Sequence, residues 1–216
     1  MYLWSRGLKR LDVVALTHAH QDHLGGLDAV LENFRVRELW VGHEVASPAY
    51  RALLERAQAR GVRIVHWIRG ETFTWDGVAG HVLWPDTSDE VQSPKNNDSL
   101  VLRLEHGRVN LLLPGDIERT VEHGLVTAGQ PLTADFLKIA HHGSKTSTSE
   151  ELLSSTAPHL AAISVGETNP FGHPSAEVLE RLHAAGVRVL RTDRDGAITV
   201  LSDGQTLRTR CFAGQN

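Results

Sequence analysis

One short segment restricts the folds open to this chain more than any other. The apolar run at residues 11–16 leads directly into THAHQDHLGG, which places three histidines and one aspartate at residues 18–23. Aliphatic and β-branched residues in such a run predict a buried strand. The polar cluster then lies on the loop at the end of that strand, where a rigid scaffold commonly holds functional groups.

The spacing of these side chains predicts metal binding. His18 and His20 are two residues apart, so in extended backbone they point the same way and can hold one ion. Asp22 and His23 lie beyond them and can serve a second ion. The alternative is a histidine-rich surface loop that binds nothing, but HxHxDH is far more specific than a single histidine. We interpret the segment as half of a two-metal hydrolytic site.

Length and composition set broader limits. A chain of 216 residues suits a single domain, 1–216. Hydrophobic content of 41% and charged content of 22% are ordinary for a soluble globular protein. A net charge of −4 argues against a uniformly basic nucleic-acid-binding surface, but not against a local basic groove. The single Cys211 excludes an internal disulfide and a cysteine-based zinc site, and the sequence has no apolar run long enough to predict a membrane segment.

Predicted strands and helices are interspersed along the rest of the chain. Ser47 as N-cap, Pro48 and Gly61 bound a predicted helix. Gly25-Gly26 leads into an amphipathic stretch at 27–34. Helices are predicted at 48–59, 118–127 and 175–185, and strands at 37–41, 62–67, 72–75, 78–84, 99–105, 109–113, 136–140, 160–165, 187–190, 197–201 and 206–211. Residues 85–98 form a polar loop. The pattern favours an αββα sandwich of the α+β class, although composition alone would equally permit a doubly wound sheet.

Two further strand ends carry polar groups of the same kind. The apolar run 111–113 leads into Pro114-Gly115-Asp116, where a carboxylate can bridge two metal ions, although Gly-Asp is also common in ordinary turns. The strand at 136–140 leads into His141-His142-Gly143. Adjacent side chains diverge in extended structure, so we expect only one of these histidines to bind metal.

Four more residues have chemistry that suits a phosphate group. Ser144, Lys145 and Thr146 offer hydroxyl, amide and ammonium donors, with a solvated turn as the alternative. His173 precedes Pro174 at the start of the last predicted helix, and Ser175 is expected in the first turn of that helix. A histidine there would ordinarily be structural, but it could donate to a phosphate or protonate a leaving oxygen.

Five stretches that carry these residues resemble a known family. HxHxDH after an apolar strand is similar to the signature of the metallo-β-lactamase superfamily. More narrowly, the chain resembles the C-terminal hydrolase-like domain of the ComEC family of bacterial DNA-internalisation proteins. The stretches are LDVVALTHAHQDHLGGL, NNDSLVLRLEHGRVNLLLPGDIE, DFLKIAHHGSKTSTS, AAISVGETNPFGHPS and VLRTDRDGAITV.

The resemblance implies a fold, two divalent metal ions and a set of roles. The fold is a metallo-β-lactamase-like αββα sandwich. The implied metal ligands are His18, His20, Asp22, His23, Asp116 and His142. His141 would orient a neighbouring group, and Asp22, Asp116 and His173 would be catalytic. Because each ligand lies at or just beyond a predicted strand end, we expect all six to converge on one point.

One departure from the wider superfamily bears on the metal. Where many members carry a further histidine ligand, this chain has Lys95-Asn96-Asn97-Asp98, a pattern that the ComEC-like group shares. Asparagine is a poor zinc ligand but an acceptable oxygen donor for Mg²⁺ or Mn²⁺. We therefore expect Mn²⁺ to compete with Zn²⁺ as the cofactor, and we place Asn97 with His141, Ser144 and Lys145 among groups that support the metals or bind phosphate.

The resemblance also implies a function and partners. The function is metal-dependent phosphodiester cleavage, specifically degradation of the DNA strand that is not transported during competence-related uptake. The partners are DNA, as a single strand or a duplex end, and the channel region of a parent protein in the bacterial inner membrane, with the side of the membrane left open. Two alternatives are a hydrolase of thioesters, lactones or cyclic nucleotides, and a non-catalytic domain that binds DNA or gates the channel.

The start of the sequence carries a further expectation. Metallo-β-lactamase folds place a hairpin before the HxHxDH strand, and few residues precede that strand here. We therefore expect an N-terminally truncated domain that lacks its first strands. An unpaired edge on the first strand would loosen the HxHxDH loop and impair catalysis.

Overall fold

The computed structural model of the protein describes residues 2–87 and 89–212. The chain forms two units, of which the first comprises Met1–Arg69 with Trp84–Leu100 and the second comprises Gly70–Leu83 with Val101–Asn216. No helix in the described part of the chain combines the length and the apolar character needed to cross a membrane.

The first unit combines a small sheet with helices. Its elements in chain order are α1 (Tyr2–Ser5), β1 (Arg10–Ala15), α2 (Gln21–Leu24), α3 (Leu27–Asn33), β2 (Arg35–Val41), α4 (Pro48–Ala59), β3 (Arg63–His66) and a 3-10 turn at Asn96–Asp98. The strands pair in parallel in the order β1-β2-β3. Leu39 and Leu53, exposed at 0% and 1%, lie in its core, where each buried side chain contributes about 1.5–3 kcal/mol.

The predicted signals of α4 are confirmed in detail. The Ser47 hydroxyl accepts a hydrogen bond from the Tyr50 N–H at 3.1 Å, and Pro48 occupies the first helical position. At the other end Gly61 adopts a φ of +72°, a conformation that costs glycine little and other residues more. These local rules alone place the helix within the chain.

The second unit is built on a larger sheet. Its elements in chain order are β4 (Thr72–Trp75), β5 (Val78–Trp84), β6 (Val101–His106), β7 (Val109–Leu113), α5 (Arg119–Thr127), β8 (Phe136–Lys138), a 3-10 turn at Ala140–Gly143, α6 (Glu150–Thr156), β9 (Leu160–Ile163), α7 (Ala176–Ala184), β10 (Arg188–Arg191), α8 (Thr192–Asp195), β11 (Ala197–Ser202) and β12 (Leu207–Phe212). Seven strands stand in the order β10-β9-β8-β7-β6-β5-β4, and β11 pairs with β12 in a separate ribbon.

The strand directions determine where the polar loops emerge. β7, β8, β9 and β10 are parallel neighbours. Their carboxyl ends therefore meet at one edge of the sheet. The loop after β7 carries Asp116, the turn after β8 carries His141 and His142, and the loop after β9 carries His173. An open parallel sheet typically binds its ligands at this edge.

The structure corrects several boundaries. The strand expected at 136–140 ends at Lys138, and Ala140 begins a 3-10 turn. Ser175 lies before α7 as its N-cap, accepting the Val178 N–H at 3.3 Å, instead of within the first turn. The helices α1, α2, α6 and α8 were not predicted, and three of them have only four residues. Segments this short carry little periodic signal.

Candidate functional site

The histidine-rich loop of the first unit holds its imidazoles close together. His18 is 4% exposed, and its Nε2 lies 3.0 Å from Nδ1 of His20. The Thr17 hydroxyl lies 3.2 Å from Nδ1 of His18 and 3.0 Å from Nδ1 of His23. The ring centroid of His18 is 4.6 Å from that of His20 and 4.3 Å from that of His23. Such crowding of a buried imidazole suits side chains whose nitrogens share a cation.

A distant segment of the same unit supports this loop. The Leu100 N–H donates to the Thr17 carbonyl at 2.8 Å, and the Ser99 hydroxyl lies 3.3 Å from Nδ1 of His18. Nε2 of His20 lies 3.1 Å from the carbonyl oxygen of Pro94. The segment 94–100 therefore orients two of the predicted ligands, as groups behind metal ligands commonly do.

The asparagines that replace an expected histidine lie in this supporting segment. Asn96 and Asn97 belong to the 3-10 turn, and the Asn97 carbonyl accepts the indole N–H of Trp84 at 2.6 Å. The Asp98 carboxylate accepts the Lys95 N–H at 2.7 Å. The turn is thus anchored through its backbone and its capping carboxylate next to the residues that orient the histidines.

Asp22 and His23 are presented differently from the first two histidines. Both belong to α2, which begins after His20. The Asp22 side chain is 62% exposed, and one of its oxygens lies 3.9 Å from Nε2 of His23. Asp22 and His23 therefore project from helical backbone, whereas extended backbone was expected around His18 and His20.

In the second unit, Asp116 is a buried carboxylate beside an imidazole and an ammonium group. It is 1% exposed. Its oxygens lie 3.3 Å from Nε2 of His142 and 3.6 Å from Nζ of Lys138. Since burial of an ionised carboxylate is costly without a compensating charge, the arrangement holds Asp116 ready for a cation. The Asp116 carboxylate in turn raises the pKa of His142, while burial opposes that shift.

The two adjacent histidines are separated by an unusual backbone. His141 and His142 adopt φ values of 46° and 53°, in the left-handed region, not the extended conformation that we predicted. Each such residue costs roughly 1–2 kcal/mol, although histidine tolerates the region better than most. Gly143 is required next, because an added Cβ would lie 2.6 Å from Cβ of Pro174. Strain of this kind is concentrated at functional sites.

The hydrogen bonds of His142 show which of its ring nitrogens is available to hold a cation. Nδ1 lies 2.7 Å from the carbonyl oxygen of Ser164, and a carbonyl can only accept, so Nδ1 carries the proton. In the neutral imidazole the lone pair is therefore on Nε2, the atom that faces Asp116. The geometry gives His142 the form of a metal ligand.

His141 faces a different partner. Its Nδ1 lies 3.4 Å from Oε1 of Glu118, and the Thr146 hydroxyl donates to the same oxygen at 2.7 Å. The Ser144 hydroxyl, on a residue that is 6% exposed, lies 2.9 Å from the Thr146 hydroxyl. Ser144 thus belongs to an internal network, whereas Lys145 is exposed to solvent.

His173 lies beside His141. Their ring centroids are 5.7 Å apart. Burial lowers the pKa of His173, and the neighbouring His141 and His142 lower it further. At neutral pH its imidazole is therefore uncharged and offers one N–H donor.

Sequence reasoning missed two residues that the structure adds to the site. Lys138 and Glu118 flank Asp116 and His141 respectively. A signal for Lys138 was present, because a lysine inside the apolar run FLKIA is unusual for a buried strand. Glu118 had none beyond its closeness to Asp116 in sequence.

The donor sets of both units fit divalent cations. In the first unit the ligand atoms of Asp22 and His23 lie within 4.8 Å of each other, and in the second unit those of Asp116 and His142 do so as well. Imidazole nitrogen and carboxylate oxygen together suit Zn²⁺ and Mn²⁺. The residues present are therefore chemically able to hold such ions.

The chain is similar in sequence to known proteins. A family model described as the metallo-beta-lactamase superfamily matches residues 1–167. ComE operon protein 3 of Bacillus subtilis (strain 168) is 38% identical over 198 residues, which cover 91% of this chain and 25% of that protein. Competence protein ComA of Neisseria gonorrhoeae is 32% identical over 193 residues, which cover 89% of this chain and 25% of that protein. The chain thus spans about a quarter of the length of these curated relatives.

A solved structure agrees with the sequence comparison. The metallo-beta-lactamase fold protein YhfI from Bacillus subtilis matches with a TM-score of 0.50 and 12% identity, covering 84% of this chain and 74% of that chain. Identity this low shows the fold alone. With the family match, it confirms the predicted α+β class and metallo-β-lactamase-like fold.

Proposed function

Because the chain belongs to the metallo-beta-lactamase superfamily, we propose that it is a metal-dependent phosphodiesterase that cleaves DNA during bacterial DNA uptake. The observation that carries the hydrolase proposal is the buried Asp116 carboxylate beside Nε2 of His142 at the end of a sheet strand. The similarity of this chain to a protein named for competence supports DNA as the substrate.

The proposal assigns two divalent cations to the ligands expected from the sequence. His18, His20, His23 and Asp22 of the first unit, with Asp116 and His142 of the second, would hold them. Such ions, when bound, polarise the phosphodiester and make water a stronger nucleophile near neutral pH. That the two ligand sets serve the same ions is part of the proposal.

The protein's own residues would then position the reacting groups. Asp22 or Asp116 would accept a hydrogen bond from the attacking water and orient it. His173, uncharged at neutral pH because its pKa is lowered, would donate its N–H to the departing oxygen. His141, held by Glu118, would stabilise the position of its neighbour His142. The exposed ammonium of Lys145 would bind a flanking phosphate.

The backbone support of His18 and His20 favours manganese in the proposal. The segment that orients them places the Pro94 carbonyl and the Ser99 hydroxyl against these histidines, and it has Asn96 and Asn97 where a further imidazole would make a nitrogen-rich zinc site. Oxygen donors suit Mn²⁺ better than Zn²⁺. We also propose that the natural setting is beside a membrane channel at the bacterial inner membrane and that the strand degraded is the one not transported.

A panel of substrates tests the proposal. Metal-free protein would be supplied with Mn²⁺ and given single-stranded DNA, duplex DNA, cyclic nucleotides, a thioester and a lactone. Cleavage of DNA alone is the expected result. Hydrolysis of a thioester, lactone or cyclic nucleotide in place of DNA would show a different hydrolase, and DNA binding without cleavage would show a non-catalytic module.

A further inference from the structure

The loop between β9 and α7 exposes an aromatic ring. Phe171 is 75% exposed, more than any other large hydrophobic side chain in the described residues. Burying a phenylalanine ring normally stabilises a folded protein, and an exposed ring contributes little of that stabilisation. An exposed phenylalanine by itself needs no explanation, so the surroundings of the ring decide its meaning.

The loop presents the ring in a defined position. The Asn169 side-chain amide donates to the carbonyls of Gly166 and His173, at 2.9 Å in both cases. The same side chain accepts the His173 N–H at 2.9 Å. These three bonds close the loop on both sides of Phe171. The ring is thus held by a preorganised turn, which lowers the entropic cost of using it for binding.

The ring leads towards the candidate catalytic residues of its own unit. Phe171 stacks on the imidazole of His173 with ring centroids 5.9 Å apart and planes inclined by 21°. His173 in turn lies 5.7 Å from His141. The two rings are nearly parallel and offset from each other, and the 75% exposure of Phe171 leaves much of its ring surface open to solvent. A planar group of a substrate could stack there, beside His173.

A cationic group lies on the adjacent loop. The Gly143 carbonyl accepts the Ser175 N–H at 2.9 Å, which ties the loop of Phe171 to the turn that precedes Lys145. Lys145 is exposed. A planar stacking face and an ammonium group on neighbouring loops match the two parts of a nucleotide, a base and a phosphate.

We propose that Phe171 stacks on a nucleobase of an unpaired nucleic-acid strand whose phosphate is presented to His173. The inference rests on the proposed function and specifies its substrate as single-stranded. Aromatic side chains stack on every base, so the contact does not select sequence. It does select strandedness, because a base within a duplex is stacked on its neighbours and cannot reach the ring.

Binding measurements separate this contact from catalysis. Fluorescence anisotropy of the full chain with a labelled thymidine oligonucleotide of about 12 nucleotides would be recorded in EDTA and again in Ca²⁺. We expect Phe171→Ala to weaken binding roughly 10-fold in each condition in which binding is measurable, and Phe171→Trp to retain it. Leu201→Ala is the control, since Leu201 is an exposed hydrophobic residue on β11 of the separate ribbon.

Two altered ligands sharpen the test. An oligonucleotide of the same length made of abasic sites keeps the phosphates and removes the bases, so wild type and Phe171→Ala should bind it equally. A duplex without free ends should likewise show no effect of the substitution, because each of its bases is stacked on both faces. Three results would overturn the inference. Wild type and Phe171→Ala could bind the thymidine strand with equal affinity, or the substitution could weaken binding of the abasic strand as much as that of the thymidine strand. The third is that the protein binds no nucleic acid in either condition.

The outcomes also separate this inference from the proposed function. If the wild type cleaves DNA and Phe171→Ala binds normally, the stacking role is wrong and the phosphodiesterase stands. If binding depends on both Phe171 and the bases, but no phosphodiester is cleaved with any metal, the stacking role stands and the proposed activity is wrong.

Discussion

At the scale of single residues, burial determines what Asp116 can do. A carboxylate that is 1% exposed has lost most of its hydration, and His142 and Lys138 face it at 3.3 and 3.6 Å. A divalent cation would satisfy such a group better than a single protonated imidazole.

Replacing this charge should abolish metal-dependent hydrolysis. We expect Asp116→Asn, which keeps the shape and removes the charge, to lower the rate at least about 100-fold while circular dichroism shows a folded protein. Asp203→Asn is the matched control, because Asp203 caps the turn of the β11–β12 ribbon. A rate for Asp116→Asn equal to that of the control would contradict the assignment.

Glu38 illustrates a residue whose charge serves stability. Its carboxylate accepts the indole N–H of Trp40 at 2.8 Å and a guanidinium N–H of Arg63 at 2.5 Å, and these bonds lower its pKa. Because the pKa of Glu38 is lower in the folded protein than in the unfolded chain, its carboxylate stabilises the fold at pH values above the pKa of the unfolded chain. This contribution is lost as the pH falls through the pKa of the folded protein.

The sign of this shift predicts a pH-dependent effect of substitution. Glu38→Gln should lower the free energy of unfolding by about 1–3 kcal/mol at pH 7, and the difference from wild type should narrow as the pH falls below about 4. Urea denaturation at both pH values measures it, with Glu32→Gln on the exposed face of α3 as control. A constant difference across this range would refute the role of the charge.

At the scale of elements, the loop after His142 is held by two helices. The buried Glu122 of α5 accepts the N–H groups of Thr148 and Ser149 at 2.5 and 2.8 Å, although burial raises the pKa of this carboxyl. Arg181 of α7 donates to the carbonyls of Ser147 and Thr148, at 3.0 Å in both cases. A carboxylate thereby accepts hydrogen bonds from the N–H groups of this loop, and a guanidinium donates hydrogen bonds to its carbonyl groups.

Loss of one carboxylate oxygen should loosen this loop. Glu122→Gln leaves one acceptor for two N–H donors, so we expect hydrogen exchange at Thr148 or Ser149 to accelerate roughly 10-fold. Glu180→Gln, an exposed position on α7, should leave both amides unchanged. Unaltered exchange in Glu122→Gln would mean that the loop is held by other contacts.

At the scale of the whole molecule, the fold by itself says little about the reaction. A match at 12% identity shares the architecture alone, and one architecture supports many chemistries. The choice of cofactor therefore depends on the side chains at the strand ends. Those of this chain combine imidazoles with carboxylates, while Asn96 and Asn97 lie in a 3-10 turn.

Metal binding should be visible in the stability of the whole protein. We expect Mn²⁺ at about 100 times its dissociation constant to add about 2.7 kcal/mol to the free energy of unfolding, and His20→Ala to abolish the gain. Activity should respond to Mn²⁺ more than to Zn²⁺. Full activity with stoichiometric Zn²⁺ and no increase with Mn²⁺ would contradict the role of Asn96 and Asn97.

Local signals in the sequence predicted most strands, the three longest helices and the residue types of the candidate site. The cap at Ser47, the apolar runs of the strands and the HxHxDH cluster depend on neighbours in sequence, and the resemblance to a known family indicated the fold. Only the tertiary structure decided that Ser99 reaches His18 and that Lys138 faces Asp116. It also decided that His141 and His142 adopt left-handed backbone conformations and face different carboxylates. These features result from packing between distant segments, which spacing along the chain does not encode.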